Sequence, residues 1–226
     1  MNGTLALLDE LETTLASGSS SRGIAILTSV TDLFINGAPR FSEAQIGVFD
    51  DVMARLMVRI EAKARAKLAL RLAPIVNAPR NVIQLLASDD DIEVARPVLS
   101  RSERLSEHTL VATANSKSQE HLYAITQRDA LSEAVTDILV ERGDRDVVHA
   151  VVKNRGARFS DAGFRALVTR SNGDDALASE VGMRGDMPRP YFLMLLERAS
   201  NAVRARLAAE NPREPRTRRS VGFRST

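Results

Sequence analysis

The sequence predicts an all-α protein built as a stack of helix pairs, and three observations predict it. Apolar residues recur at helical spacing along most of the chain, interrupted by short polar breaks. Aromatic residues make up only 4% and there is no Trp, so Leu, Ala, Val and Ile must fill the core, which favours packed helices. A two-residue signature also repeats: an apolar residue followed by a helix starter, at Phe41-Ser42, Ala78-Pro79, Leu105-Ser106, Leu131-Ser132, Phe159-Ser160 and Met187-Pro188. Ser caps a helix and Pro suits its first turn, so either meets the same need. The later steps are 26 (105 to 131), 28 (131 to 159) and 28 (159 to 187) residues and the earlier ones 37 (41 to 78) and 27 (78 to 105), a spacing that, past its first step, marks a repeat.

Taken in order, Leu5, Leu8, Leu11 and Leu15 line one side of a first helix, closed by the Ser17–Ser21 polar cluster. A second helix runs from about Arg22 to Ile35 and stops at Asn36-Gly37-Ala38-Pro39. Ser42 and Gln45 form a capping box, with Phe41 at the staple position. The helical pattern that follows is too long for one helix, so a break falls near Ile60-Glu61. Pro74 and Pro79 close this region, and Asn81 to Ala87 is a short helix. Asp91, Ser118, Asp144 and Asp174 then form a second column of helix starts, each with a side-chain oxygen able to hold an orphan amide. Gly143 and Gly173 sit at helix junctions, where tolerance of positive φ ends a helix. Tyr191 to Ala209 is a single closing helix. This organisation is one helical-repeat domain over 1–210, with cap helices over 1–35, repeats over 36–190 and a closing helix over 191–210. Pro212, Pro215 and five arginines make 211–226 a disordered basic tail with a local charge of +4.

Composition narrows the function classes. The chain has 44% apolar and 27% charged residues, which suits a soluble globular protein. Its net charge of +2 becomes about −2 once the tail is set aside, so no strongly charged partner is implied. Zero Cys excludes disulfides, thiol catalysis and Cys-based zinc sites, and fits a reducing compartment. Asp9, Glu10 and Glu12 stand where an export signal would be basic and then apolar. No apolar run approaches the roughly 18 residues of a membrane span. A cytoplasmic location away from membranes is the expectation.

Candidate sites are few. His108, His121 and His149 include no pair at metal-ligand helical spacing, although His121 and His149 occupy successive equivalent helices; surface or capping roles suit them better. Asp89-Asp90-Asp91 lacks the alternating ligands, Gly and distal Glu of a calcium loop, and reads as helix capping. Glycine-rich phosphate loops and nucleophile elbows are absent from the sequence. Arg128, Arg155 and Arg184 each lie three residues beyond an apolar helix end, at Ile125, Val152 and Val181. They read as carbonyl and carboxylate ligands at helix ends, or as an edge for binding an anion or a partner. Catalytic residues, metal ligands and cofactors are not expected.

The Leu85 to Leu99 segment, a Leu-rich helix, an aspartate turn and a Val-containing second helix, resembles HEAT-like and leucine-rich-variant repeats. A closer similarity is to the bacterial family called domain of unknown function 2336. The segments that carry it are Val48–Val52, Leu68–Pro74, Asp89–Leu99, Gln119–Ile125, Leu139–Asp144 and Asn154–Ser160, within roughly residues 20–190. The resemblance implies a HEAT-like α-α superhelix, a right-handed solenoid of helix pairs, and offers no activity or site residue to carry over. The expected function is a non-enzymatic protein-interaction scaffold or regulatory adaptor. The alternative is a nucleic-acid-binding module that uses the arginine edge and basic tail; a continuous basic groove would favour it, a mixed surface the scaffold.

Overall fold

The computed structural model describes residues 20–58 and 60–210. The first expected helix, over Leu5–Leu15, and the basic tail over 211–226 lie outside the described residues. The described part is all-α, with 13 α-helices, a short 3-10 turn at Ala38–Arg40 and no strand. The chain divides into two compact units, Met1–Arg158 and Phe159–Thr226.

In the first unit the helices are α1 (Ser20–Gly37), α2 (Glu43–Met57), α3 (Ala62–Leu72), α4 (Arg80–Ala87), α5 (Ile92–Arg101), α6 (Glu107–Ser116), α7 (Gln119–Thr126), α8 (Glu133–Arg142) and α9 (Arg145–Lys153). Most have ten residues or fewer, too short to persist alone in water, so packing must hold them. Alternate helices pack on one another. On one side α3 packs on α5, α5 on α7 and α7 on α9; on the other α2 packs on α4 and α6 on α8. Sequence neighbours such as α4 and α5, or α8 and α9, close the pairs. The buried face is aliphatic: Leu72, Ile83, Leu86, Leu99, Leu122, Ile125 and Leu139 are fully covered. Each such side chain contributes about 1.5–3 kcal/mol on leaving water.

The starter column is visible as burial. Ala78, Leu105 and Leu131 are buried, and Phe41, half-buried, stacks on Phe49 at 5.0 Å. Ser42 forms the expected capping box with Gln45. Ser106 caps α6 through the Thr109 amide, and Asp91 and Asp144 cap α5 and α9. Ser118 and Ser132 do not cap through their side chains. Pro79 stands one position ahead of the first turn, and a carboxylate from another helix does the capping: Asp50 of α2 accepts the Asn81 and Val82 amides, each at 2.8 Å. The break expected near Ile60-Glu61 separates α2 from α3.

The second unit holds α10 (Asp161–Arg170), α11 (Asp175–Gly182), α12 (Arg189–Arg198) and α13 (Asn201–Glu210). Here α10 packs on α12 and α11 on α13. Phe164 lies between Phe159 and Tyr191, with ring centroids 5.6 and 6.1 Å away. Ser160 and Asp174 cap α10 and α11. The single closing helix is a misreading, because the chain turns at Ala199-Ser200 and α12 and α13 are separate. Ala199 is extended, with φ −71° and ψ 149°. The Ser200 hydroxyl donates to Asp175 at 2.8 Å and accepts the Val203 amide at 3.3 Å. Arg204 donates to the carbonyls of Leu196 and Glu197 that the turn leaves open. The turn brings Val203 and Leu207 into the core, both nearly fully buried.

The glycine expectation also needs correcting. Gly173 has φ +80°, as its junction requires, but Gly143 has φ −61°. At Gly143 the constraint is space: a Cβ would lie 2.3 Å from the Leu139 carbonyl oxygen and 2.5 Å from Val147 Cγ1.

Candidate functional site: a groove across three parallel helices

Polar side chains fix α5, α7 and α9 in parallel. At their starts, His121 Nε2 of α7 donates to the Asp89 carbonyl just before α5, at 3.0 Å. Gln119 bridges α7 to the start of α9: its amide donates to the Arg142 carbonyl at 3.0 Å and its oxygen accepts the Asp144 amide at 2.8 Å. At their ends, Arg128 donates to the Leu99 and Ser102 carbonyls, both at 2.9 Å, and Asn154 donates to the Thr126 and Arg128 carbonyls at 2.9 and 2.7 Å. Starts lie with starts and ends with ends, so the outward faces of the three helices form one surface.

A groove of about 880 Å³ crosses that surface. Ala124, Val147 and Ala150 give it an apolar floor, and Tyr123 rises from the middle helix with 46% of its surface exposed. Among the described residues the Tyr123 hydroxyl has no hydrogen-bond partner. Arg96 and Arg101 stand on α5; Glu120 on α7; Asp146, His149 and Lys153 on α9, with Asp144 as its cap. Arg96 also pairs with Glu93 at 3.1 Å, both side chains more than half exposed, a contact of little energetic weight. The groove therefore carries both signs of charge around an aromatic centre.

The three arginines of the expected edge take different places. Arg128 is half-buried, and its guanidinium is taken by the two carbonyls that end the preceding helix pair. Burial lowers its pKa from the ordinary guanidinium value, against the opposing pull of Asp129 and Glu103; it stays charged, since arginine does not deprotonate in proteins. Arg184, in the second unit, is only 9% exposed, grips Asp186 at 2.8 and 2.9 Å, and lies over the Phe159 ring at 4.6 Å. Arg155 is exposed, and no described residue bonds its side chain. Arg128→Ala should thus cost about 2–3 kcal/mol, since two carbonyls lose a charged donor. Arg184→Ala should cost about 1–2 kcal/mol, and Arg155→Ala should stay within about 0.5 kcal/mol. Urea midpoints of the three variants check the order; equal losses would contradict it.

The histidines do not come together as ligands. His108 is exposed, His149 lines the groove wall, and His121 is 2% exposed, with Nδ1 hydrogen-bonded to Ser118 at 2.8 Å. No cluster of three or more metal-ligating side chains exists among the described residues. Each aspartate of the Asp89-Asp90-Asp91 run has its own partner. Asp89 binds Arg65 at 2.6 Å, Asp90 pairs with Lys117, and Asp91 caps α5. Lys117, by hydrogen bond and charge, holds the Asp90 carboxyl below its usual range.

Sequence reasoning missed the carbonyl ladder that Arg128 belongs to. Asn77 donates to the Ala38 carbonyl, Arg104 to that of Ala78 at 2.9 Å, Arg128 to Leu99 and Ser102, and Asn154 to Thr126 and Arg128. Every rung crosses to the preceding repeat. The residue type and its offset from the starter column both vary, so no fixed spacing betrays it.

The family model described as "Uncharacterised protein conserved in bacteria (DUF2336)" matches residues 94–222, more than half of the chain, and the chain belongs to that family. The match begins at Val94, so Val48–Val52 and Leu68–Pro74 lie ahead of it, and it extends past α13. No curated protein and no solved structure matches. No helix of the described residues is long and apolar enough to cross a membrane.

Proposed function

We propose that this member of the family is a non-enzymatic protein-interaction scaffold or adaptor, which receives its partner in the groove across α5, α7 and α9. The observation that carries the reading is the groove itself: an apolar floor, an exposed Tyr at its centre and charges of both signs at its rim. Tyr and Arg are the side chains on which protein interfaces most often depend. A phosphate backbone would instead meet Glu120, Asp144 and Asp146, which repel it. The helix pairs are read as a HEAT-like α-α superhelix, supported by the packing of α3 on α5, α5 on α7 and α7 on α9 and by the inter-repeat ladder; such stacks present extended binding surfaces. The location is read as cytoplasmic, supported by the absence of cysteine from the sequence. Arg155 is the one arginine of the expected edge whose guanidinium no described residue holds, and it remains a candidate partner contact.

A photo-reactive amino acid in place of Tyr123 tests the reading. Irradiation in the host bacterium should give a discrete protein adduct that is lost when the label sits at Gln84, exposed on α4. A nuclease-sensitive adduct at Tyr123 would overturn the scaffold in favour of nucleic acid.

A further inference from the structure

The charges in the groove are ordered, and the order specifies an occupant. Arg96 and Arg101 are the groove's charged residues on α5, whereas Glu120 on α7 and Asp144 and Asp146 on α9 make the opposite side acidic near the helix starts, with Lys153 standing apart at the far end of α9. Arg101, Glu120 and Asp146 have no ion-pair partner among the described residues, and the Asp144 side chain caps α9 by accepting the Val147 amide. Tyr123 and Ala124 on the middle helix α7, with Ala150 on α9, offer a ring face and a shallow apolar floor beside these charges. Neighbouring packed helices stand about 8–10 Å apart, so α5 to α9 spans about 16–20 Å. An extended peptide rises about 3.3 Å per residue and covers that span in about five or six residues.

We infer that the groove binds an extended peptide segment with an acidic residue over α5 and a basic residue about five positions away over α7 and α9, an apolar residue between them resting on Tyr123. This inference rests on the scaffold reading above and names its partner by chemistry. A uniformly acidic segment would be repelled at Asp146 and Glu120, and a uniformly basic one at Arg96 and Arg101. Charge complementarity of this kind discriminates partners and fixes their direction across the surface.

The test is selection from a phage-displayed library of random linear peptides on the full chain, with an unrelated helical protein subtracted. Enriched peptides should carry opposite charges about five residues apart around an apolar residue. Tyr123→Ala should weaken a selected peptide by about tenfold or more. The double variant Glu120→Lys with Asp146→Lys should lose the selected peptides and regain binding when their basic residue is changed to acidic. These positions are exposed, and an unchanged circular dichroism spectrum confirms the fold of each variant. Peptides enriched without charge order, or bound equally by the charge-reversed variant, overturn the inference while a Tyr123-dependent interaction preserves the scaffold. No enrichment at all also overturns it, and the scaffold then stands or falls on the Tyr123 photo-crosslink.

Discussion

Val152→Asp is expected to unfold the first unit under conditions where the parent is folded. Val152 is 3% exposed on α9, and Val147, Val148 and Val151 beside it are buried as well. The helix has nine residues, four of them these β-branched valines, and neither its length nor its propensity would sustain it alone. It exists because its valine face packs on α7 and α8. No lysine or arginine is buried among the described residues to meet a carboxylate there, and an uncompensated buried charge costs about 3–5 kcal/mol. That is a large part of the 5–15 kcal/mol that typically holds a domain together. Lys153→Ala, at the next position but exposed, should change stability by about 0.5 kcal/mol or less. Urea unfolding followed by circular dichroism distinguishes the two, and similar losses at both would contradict the packing described for α9.

What could be read from the chain follows the range of the interactions concerned. The Ser42 box, the Asp91, Asp144 and Asp174 caps and the break between α2 and α3 depend on residues within a few positions of one another, and all were legible. The turn at Ala199-Ser200 was not, because α12 and α13 share one apolar periodicity and the deciding contact, Ser200 with Asp175, lies 25 residues away. The cap that Asp50 supplies to α4 and the ladder from Asn77 to Asn154 are likewise contacts between repeats. The groove is the furthest case. Tyr123, Glu120 and Asp146 look like ordinary exposed helix positions until α5, α7 and α9 are set side by side. The arginine spacing was legible as a pattern, yet one spacing covers three environments, because a helix-end residue's partner depends on the neighbouring junction rather than on its own repeat.

Gly156→Ala should be nearly as damaging as the buried charge, for a reason of space alone. Gly156 follows α9, and its carbonyl accepts the Leu131 amide at 3.1 Å while the Arg158 amide donates to the Leu131 carbonyl at 3.0 Å. These bonds form a parallel bridge between Leu131 and Ala157 that ties the end of α9 to the loop before α8. Asn154 fastens the same loop, since its side chain also accepts the Gly156 amide at 2.8 Å. The backbones approach so closely that a Cβ on Gly156 would lie 1.8 Å from the Asp129 carbonyl oxygen. The obstructing atoms are backbone, and no rotamer change relieves the clash. The loops must separate, and the bridge and the Asn154 rung go with them, at a cost of about 3 kcal/mol or more. Gly47 supplies the contrast. It lies exposed within α2, with nothing within 4 Å of where its Cβ would be. Gly47→Ala should therefore raise stability by about 0.5–1 kcal/mol, the helix preference of Ala over Gly. Urea midpoints moving in opposite directions for the same chemical change would establish that close approach, rather than backbone torsion, demands glycine at 156; a Gly156→Ala variant as stable as the parent would refute it.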